Sequence, residues 1–152
     1  KWVLEFGKKN KVQVLVMAKK RTPLDKLEQV FTDNGITYTT HNGSLSLEKR
    51  EEHKSKFRNG DAQVFLIQLD SGKECLTLPE AKCTIFLDRD FAQGFNEQAE
   101  ARMSPVTKET CVKYIIDLIM NGSKEEGIYN TLVVRKESID SVNTIQNIMK
   151  GD

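Results

Sequence analysis

Histidine and cysteine are scarce: two histidines, His41 and His53, and three cysteines, Cys75, Cys83 and Cys111, in 152 residues. The cysteines are odd in number and lack CxxC spacing, and neither histidine has a cysteine at ligand spacing. A structural metal or a disulfide framework is therefore not expected. Cys83 and Cys111 lie in strand-like runs and read as small apolar residues. No run approaches the apolar length that spans a bilayer. The opening "KWVLEFGKKN" has no hydrophobic region followed by a small-residue cleavage site, so an intracellular protein with no membrane partner is expected. Two nucleotide motifs are missing as well. "DSGKECLT" fails the GxxxxGK[ST] pattern, because one glycine precedes Lys73 and no Ser or Thr follows it, and GxGxxG is absent. The chain cannot cradle a triphosphate alone in the P-loop manner, and the main reason to expect a nicotinamide or flavin enzyme is removed.

What remains is 38% hydrophobic and 30% charged, enough for one core and one domain over residues 1–152. The net charge of +1 hides an asymmetry: residues 1–73 hold 14 Lys and Arg against 9 Asp and Glu, and residues 74–152 hold 9 against 13. The basic half suits a polyanion, although many basic faces are only solvated.

Five strand-length runs rich in β-branched or aromatic residues follow: "VQVLVM" (12–17), "ITYTT" (36–40), "QVFLIQ" (63–68), "CTIFLD" (83–88) and "CVKYIIDLI" (111–119). Helical patterns alternate with them. "TPLDKLEQVFTDNG" offers Thr22 as cap, Pro23 in the first turn, Leu24, Leu27, Val30 and Phe31 on one face, and Asn34-Gly35 as the stop. "SLEKREEHKSKFRNG" offers Ser46 as N-cap, Phe57 as apolar anchor and Asn59-Gly60 as the stop. Trp2 and Phe6 suggest a leading helix. Ile139, Val142, Ile145 and Ile148 suggest a last one, within a helical extension over about 123–152. Near-continuous apolar strands alternating with helices predict an α/β domain, a mainly parallel sheet of about five strands with helices on both faces, and ligands at the carboxyl ends of the strands.

Those ends are "AKKRT", "HNGS", "LDSGKE" and "DRDFAQGFNEQ", the most polar and glycine-bearing junctions of the chain. In "DRD", Asp88 and Asp90 are better read as turn or cap residues than as a catalytic pair. Arg50 has no acidic residue three or four positions away on its helix, and reads as solvated or weakly paired with a distant carboxylate.

The order of these segments resembles the C-terminal RecA-like lobe of superfamily 2 helicases and translocases, and within them the Swi/Snf-type ATPases. "KVQVLVMAKKRTPLDKL" is similar to the strand and helix that open that lobe. In "YTTHNGSLSLEKREEHKSKFRNGDAQVFLI", Gly43, Ser44, Arg50 and Phe57 fall where the family has a Gly-Ser loop, an arginine and a phenylalanine. "DSGKECLTLPEAKCTIFLD" resembles motif V, "FNEQAEARM" motif VI, and "VKYIIDLIMNGSKEEGIY" the strand and acidic helix that follow in the Swi/Snf group.

The resemblance implies a three-layer RecA-like domain whose ATP lies between two lobes, with the phosphates and Mg²⁺ held mainly by an N-terminal P-loop lobe absent from this chain. Gln98 matches the leading glutamine of motif VI and Arg102 its first arginine. Both would be ATP-binding, and Arg102 would act as the catalytic finger on the transferring phosphoryl group. The resemblance also places DNA backbone contacts, on double-stranded DNA, at Lys19, Lys20, Gly43, Ser44, Ser71, Gly72 and Lys73. Two positions depart from the pattern: Pro105 stands where a second arginine is usual, leaving Arg102 alone or with Lys108, and Cys75 stands for the glycine before "LTL". Such departures fit a divergent branch, such as a viral or mobile-element one, or a degenerate lobe that only binds nucleic acid or protein. A self-standing small-molecule enzyme using Asp88, Asp90 or Lys73 is the third reading, disfavoured because no nucleophile, base and orienter set stands at recognisable spacing.

Overall fold

The computed structural model describes residues 5, 12–69, 77–89, 97, 101, 114–124 and 126–134. All five expected strands form: β1 (Val14–Ala18), β2 (Tyr38–His41), β3 (Val64–Gln68), β4 (Cys83–Phe86) and β5 (Tyr114–Asp117). They make one sheet in the order β2-β3-β1-β4-β5, and every pairing is parallel. β1 is the middle strand, and all five of its residues are buried.

Two helices, α1 (Arg21–Asp33) and α2 (Leu47–Arg58), pack on opposite faces. The topology demands this. The β1-to-β2 connection steps past β3 in one direction and the β2-to-β3 connection steps back, so right-handed crossovers must pass over different faces. The alternation along each strand records the result. Val14, Val16, Val64 and Leu66 meet Leu24 and Phe31 of α1, whereas Leu15, Met17, Phe65 and Ile67 meet Phe57 of α2. The β3-to-β4 connection steps the same way as β2-to-β3, and its Leu78 and Ala81 accordingly lie in the Phe57 cluster.

Both helices stop as their Asn-Gly pairs predict. Gly35 (φ +64°) donates its N–H to Thr32 O at 3.1 Å and Ile36 donates to Phe31 O at 2.9 Å. Gly60 (φ +84°) donates to Phe57 O at 3.0 Å and Asp61 to Lys56 O at 2.9 Å. Each is a Schellman ending, whose left-handed residue glycine adopts without a Cβ penalty. At the other end of α2, Ser46 Oγ accepts the Lys49 N–H at 3.4 Å, the expected cap.

Three expectations about α1 and α2 need correction. The cap position of α1 is Lys20, not Thr22, and it makes no side-chain cap bond, because an ammonium has nothing to accept with. Val30 is 41% exposed, since one residue before Phe31 it sits about 100° round the helix, at the rim of the apolar stripe. Arg50 is not merely solvated: its Nη2 donates to Gly43 O at 3.2 Å, a backbone partner that a search for helical carboxylates does not find. Residues 124 and 126–134 are helical, and Trp2, Phe6 and the run from Ile139 to Ile148 lie outside the described residues.

Cys83 is fully buried in β4, as its apolar reading requires, and burial pushes its thiol up to about 11. Cys75 and Cys111 lie outside the described residues. At pH 8 only about a thousandth of Cys83 would be thiolate, the form that reacts. Iodoacetamide followed by peptide mass mapping should leave Cys83 unlabelled in the native protein and label it fully in denaturant. Native labelling at a free-thiol rate would contradict the buried placement.

Candidate nucleic-acid interface

The carboxyl edge of the sheet gathers the turns that follow the strands. β1 leads to Lys19, half-buried, and Lys20 and Arg21, both exposed. β2 leads to Asn42, buried, and to exposed Gly43 and Ser44. Asn42 shapes that second turn: its Oδ1 accepts the Ser44 N–H at 3.1 Å and the Ser44 hydroxyl at 2.7 Å, an Asx turn. Arg50 reaches back from α2 to the Gly43 carbonyl. Arg21 Nη1 donates to Ser44 Oγ at 3.1 Å, and its Nε pairs with Asp25 at 3.2 Å. One guanidinium from the start of α1 thus ties the turn after β1 to the turn after β2.

The arrangement changes what each group can offer a phosphate. Ser44 spends both its N–H and its hydroxyl on Asn42, so a phosphate would take a bond from Ser44 only by displacing that carboxamide. The ammonium of exposed Lys20 can contact a phosphate without disturbing the turn. His41, buried beneath the turn, meets the Phe65 ring edge-on at 6.2 Å between centroids. His53 Nδ1 lies 2.7 Å from Thr40 O and pins α2 to edge strand β2.

On the other side of β1, Asp88 Oδ1 accepts the Lys19 N–H at 2.5 Å, a turn-stabilising use of that carboxylate. Arg89 lies over the Phe86 ring, 4.1 Å from its centroid. Its guanidinium forks onto Asp117 at 2.5 and 3.0 Å and so joins the ends of β4 and β5. Among the described residues no group of three or more His, Cys, Asp or Glu side chains converges to hold a metal.

A family model described as the helicase conserved C-terminal domain matches residues 1–104, more than half of the chain. This chain belongs to that family. Curated relatives include a "Chromodomain-helicase-DNA-binding protein 1-like" of Danio rerio, 30% identical over 85% of this chain and 12% of its own length. Another is a "DNA repair and recombination protein RAD54-like" of Drosophila ananassae, 30% identical over 76% of this chain and 15% of its own. The chain therefore spans only about an eighth to a seventh of these relatives. Among solved structures, the C-terminal part of the Fun30 ATPase domain shares the fold at a TM-score of 0.78 and 24% identity, covering 86% of this chain and 43% of that one. The RecA-like fold and the superfamily 2, Swi/Snf-type resemblance read from motif order are both borne out.

Within this helicase C-terminal domain, Lys19, Lys20, Gly43 and Ser44 come together along one sheet edge, linked through Arg21. Ser71, Gly72, Lys73, Asp90, Gln98, Arg102, Pro105 and Lys108 lie outside the described residues. Sequence reasoning missed Asn42, Arg21 and Gln68 as residues that shape the site. "HNGS" carries an Asx-turn signature that identifies Asn42. Nothing in the local sequence of Arg21 or Gln68 announces partners 23 and 49 residues away.

Proposed function

We propose that this domain is the C-terminal motor lobe of an ATP-dependent DNA helicase or translocase. It would work with an N-terminal P-loop lobe of the same protein, inside the cell, on double-stranded DNA. Membership of the helicase C-terminal family carries the reading, and the clustering of Lys19, Lys20, Gly43 and Ser44 at the carboxyl edge supports it. A motor that steps along any sequence must hold the phosphate backbone, and charged turns at strand ends suit that task. Ser71, Gly72 and Lys73, which follow β3 in the sequence, would add further backbone contacts. The helical residues beyond 123 would form an extension of the single lobe.

Gln98 and Arg102 are the lobe's contribution to ATP. Magnesium and most phosphate contacts would belong to the N-terminal lobe, where the metal neutralises charge on the phosphate oxygens. The purified 152-residue chain should accordingly show no magnesium-dependent ATP turnover above buffer, and appreciable turnover would refute the two-lobe assignment. The direct test is ATP hydrolysis by the full-length protein with and without double-stranded DNA. Stimulation supports the motor. Its absence favours the reading that Pro105 and Cys75 suggest, a degenerate lobe that only binds nucleic acid or protein.

A further inference from the structure

We infer that Asp88 is a positioning residue for the nucleic-acid contact, holding the turn that presents Lys19 and Lys20; the inference rests on the function proposed above. β1 lies where the outgoing connections of neighbouring strands part, since the chain leaves β1 over the α1 face and leaves β3 over the α2 face. The turn after β1 is therefore bordered on both sides, by the ends of β3 and β4, and it is gripped from both. On the β4 side the Leu87 N–H donates to Met17 O at 2.9 Å. Two residues on, just past the end of β1, the Lys19 N–H donates to the Asp88 carboxylate at 2.5 Å, and the Lys19 carbonyl accepts from Gln68 Nε2 at 3.5 Å. A side chain thus extends the ladder by one bond just where the backbone must leave the sheet. Lys20 then takes an extended conformation (φ −92°, ψ 146°) and α1 begins.

The Asp88 bond is the shorter of the two and is charge-assisted, the stronger kind. Without it the Lys19 N–H would lose its carboxylate acceptor and the turn its hold on the β4 side, so the ammonium of Lys20 would sample more directions. The cost would appear as ordering entropy on binding a phosphate. Asp88 is also an anion beside three consecutive cations, Lys19, Lys20 and Arg21. Charge and position therefore predict opposite signs. If Asp88 acted only through its charge, removing it would strengthen attraction to a polyanion. If it positions the turn, removing it weakens binding.

The experiment is equilibrium binding of the full-length protein to a labelled DNA duplex of mixed sequence, by fluorescence anisotropy over a salt series, for wild type, Asp88→Ala, Asp88→Asn and Lys20→Ala. Asp88→Ala should raise Kd about tenfold and reduce the salt slope by about one phosphate contact. Asp88→Asn keeps an acceptor oxygen at the same reach and should restore wild-type affinity. Asp88→Ala binding as tightly as wild type or more tightly, or Asp88→Asn as weak as Asp88→Ala, overturns the inference. Should Asp88→Ala not fold, Asp88→Glu carries the same test: it keeps the charge and shifts the carboxylate by one methylene, so weakened binding supports positioning and unchanged binding overturns it. If Lys20→Ala weakens binding and the Asp88 variants do not, the inference alone fails. If wild type does not bind duplex, the proposed function fails and takes the inference with it.

Discussion

Arg102→Ala is expected to cut DNA-stimulated ATP hydrolysis by the full-length protein at least about 10³-fold, the scale on which an arginine finger acts, while duplex binding stays at the wild-type level. The expectation follows from a division of labour between ends of strands. The contacts proposed for DNA, at Lys19, Lys20, Gly43, Ser44, Ser71, Gly72 and Lys73, follow β1, β2 and β3 in the sequence, whereas Arg102 follows β4 by 16 residues, counted from Phe86. A guanidinium delocalises its charge and presents a planar fork of donors, so it can follow charge onto phosphoryl oxygens as the leaving bond breaks. The Swi/Snf-type pattern usually supplies a second arginine three residues later, and Pro105 cannot act as one. On the proposed reading Arg102 would bear the whole role or share it with Lys108, and Lys108→Ala measured beside Arg102→Ala separates the two. Phosphate release in the presence of saturating duplex is the readout, with anisotropy on the same samples as the binding control. Wild-type turnover in Arg102→Ala would take the finger role away from Arg102.

Local signals in this chain were legible where their physics is local. Each strand falls within or beside a run rich in β-branched and aromatic residues, with boundaries that differ from the run by at most three residues, although β5 stays partly exposed. The Asn34-Gly35 and Asn59-Gly60 stops were legible because a left-handed residue after a helix is nearly a glycine requirement. Ser46 was legible as a cap for the same kind of reason. The strand order was not, because pairing β3 between β2 and β1 brings together residues whose separation no periodicity encodes. Only once that order is known do right-handed crossovers assign α1 and α2 to opposite faces. Helical i, i+4 spacing says nothing of Arg50, which donates to a carbonyl seven residues back, across the turn before the helix. The same holds for Asp88. Its dipeptide-level reading as a turn residue was sound, but the peptide it holds is Lys19, 69 residues away.

The second large effect concerns stability. Phe57→Ala is expected to destabilise the domain by about 3–5 kcal/mol, the usual cost of emptying a phenylalanine site. α2 is a poor helix for burial: Leu47 is exposed, most of its other residues are charged, and Phe57 is the helix's one buried residue among those described. All the apolar purchase of α2 on the sheet is concentrated there. The ring is fully buried among Leu15, Met17, Phe65, Ile67, Leu78, Ala81 and Phe86, and meets the Phe65 ring at 5.3 Å between centroids. The Phe57 carbonyl also accepts from Gln13 Nε2, which ties the end of α2 to the strand edge before β1. Surface pairs do not compensate. Lys54 with Glu51 and Lys56 with Glu52 hold both carboxyls below their usual range, but they are pairs within the helix and contribute nothing to docking it. A domain has only about 5–15 kcal/mol in hand, so Phe57→Ala should lower Tm by about 10 °C and reduce the urea midpoint in proportion. Phe57→Leu, which keeps most of the volume, should recover much of the loss. Since α2 also carries Arg50, which holds the Gly43 carbonyl, loosening the helix should loosen the turn after β2 as well. Amide exchange at Ser44 and Leu45 should therefore accelerate in Phe57→Ala more than exchange in β4, which lies on the far side of β1 from β2 and β3. An unchanged melting curve would mean that α2 is anchored elsewhere, and uniform acceleration across the sheet would mean that the turn is not held through the helix.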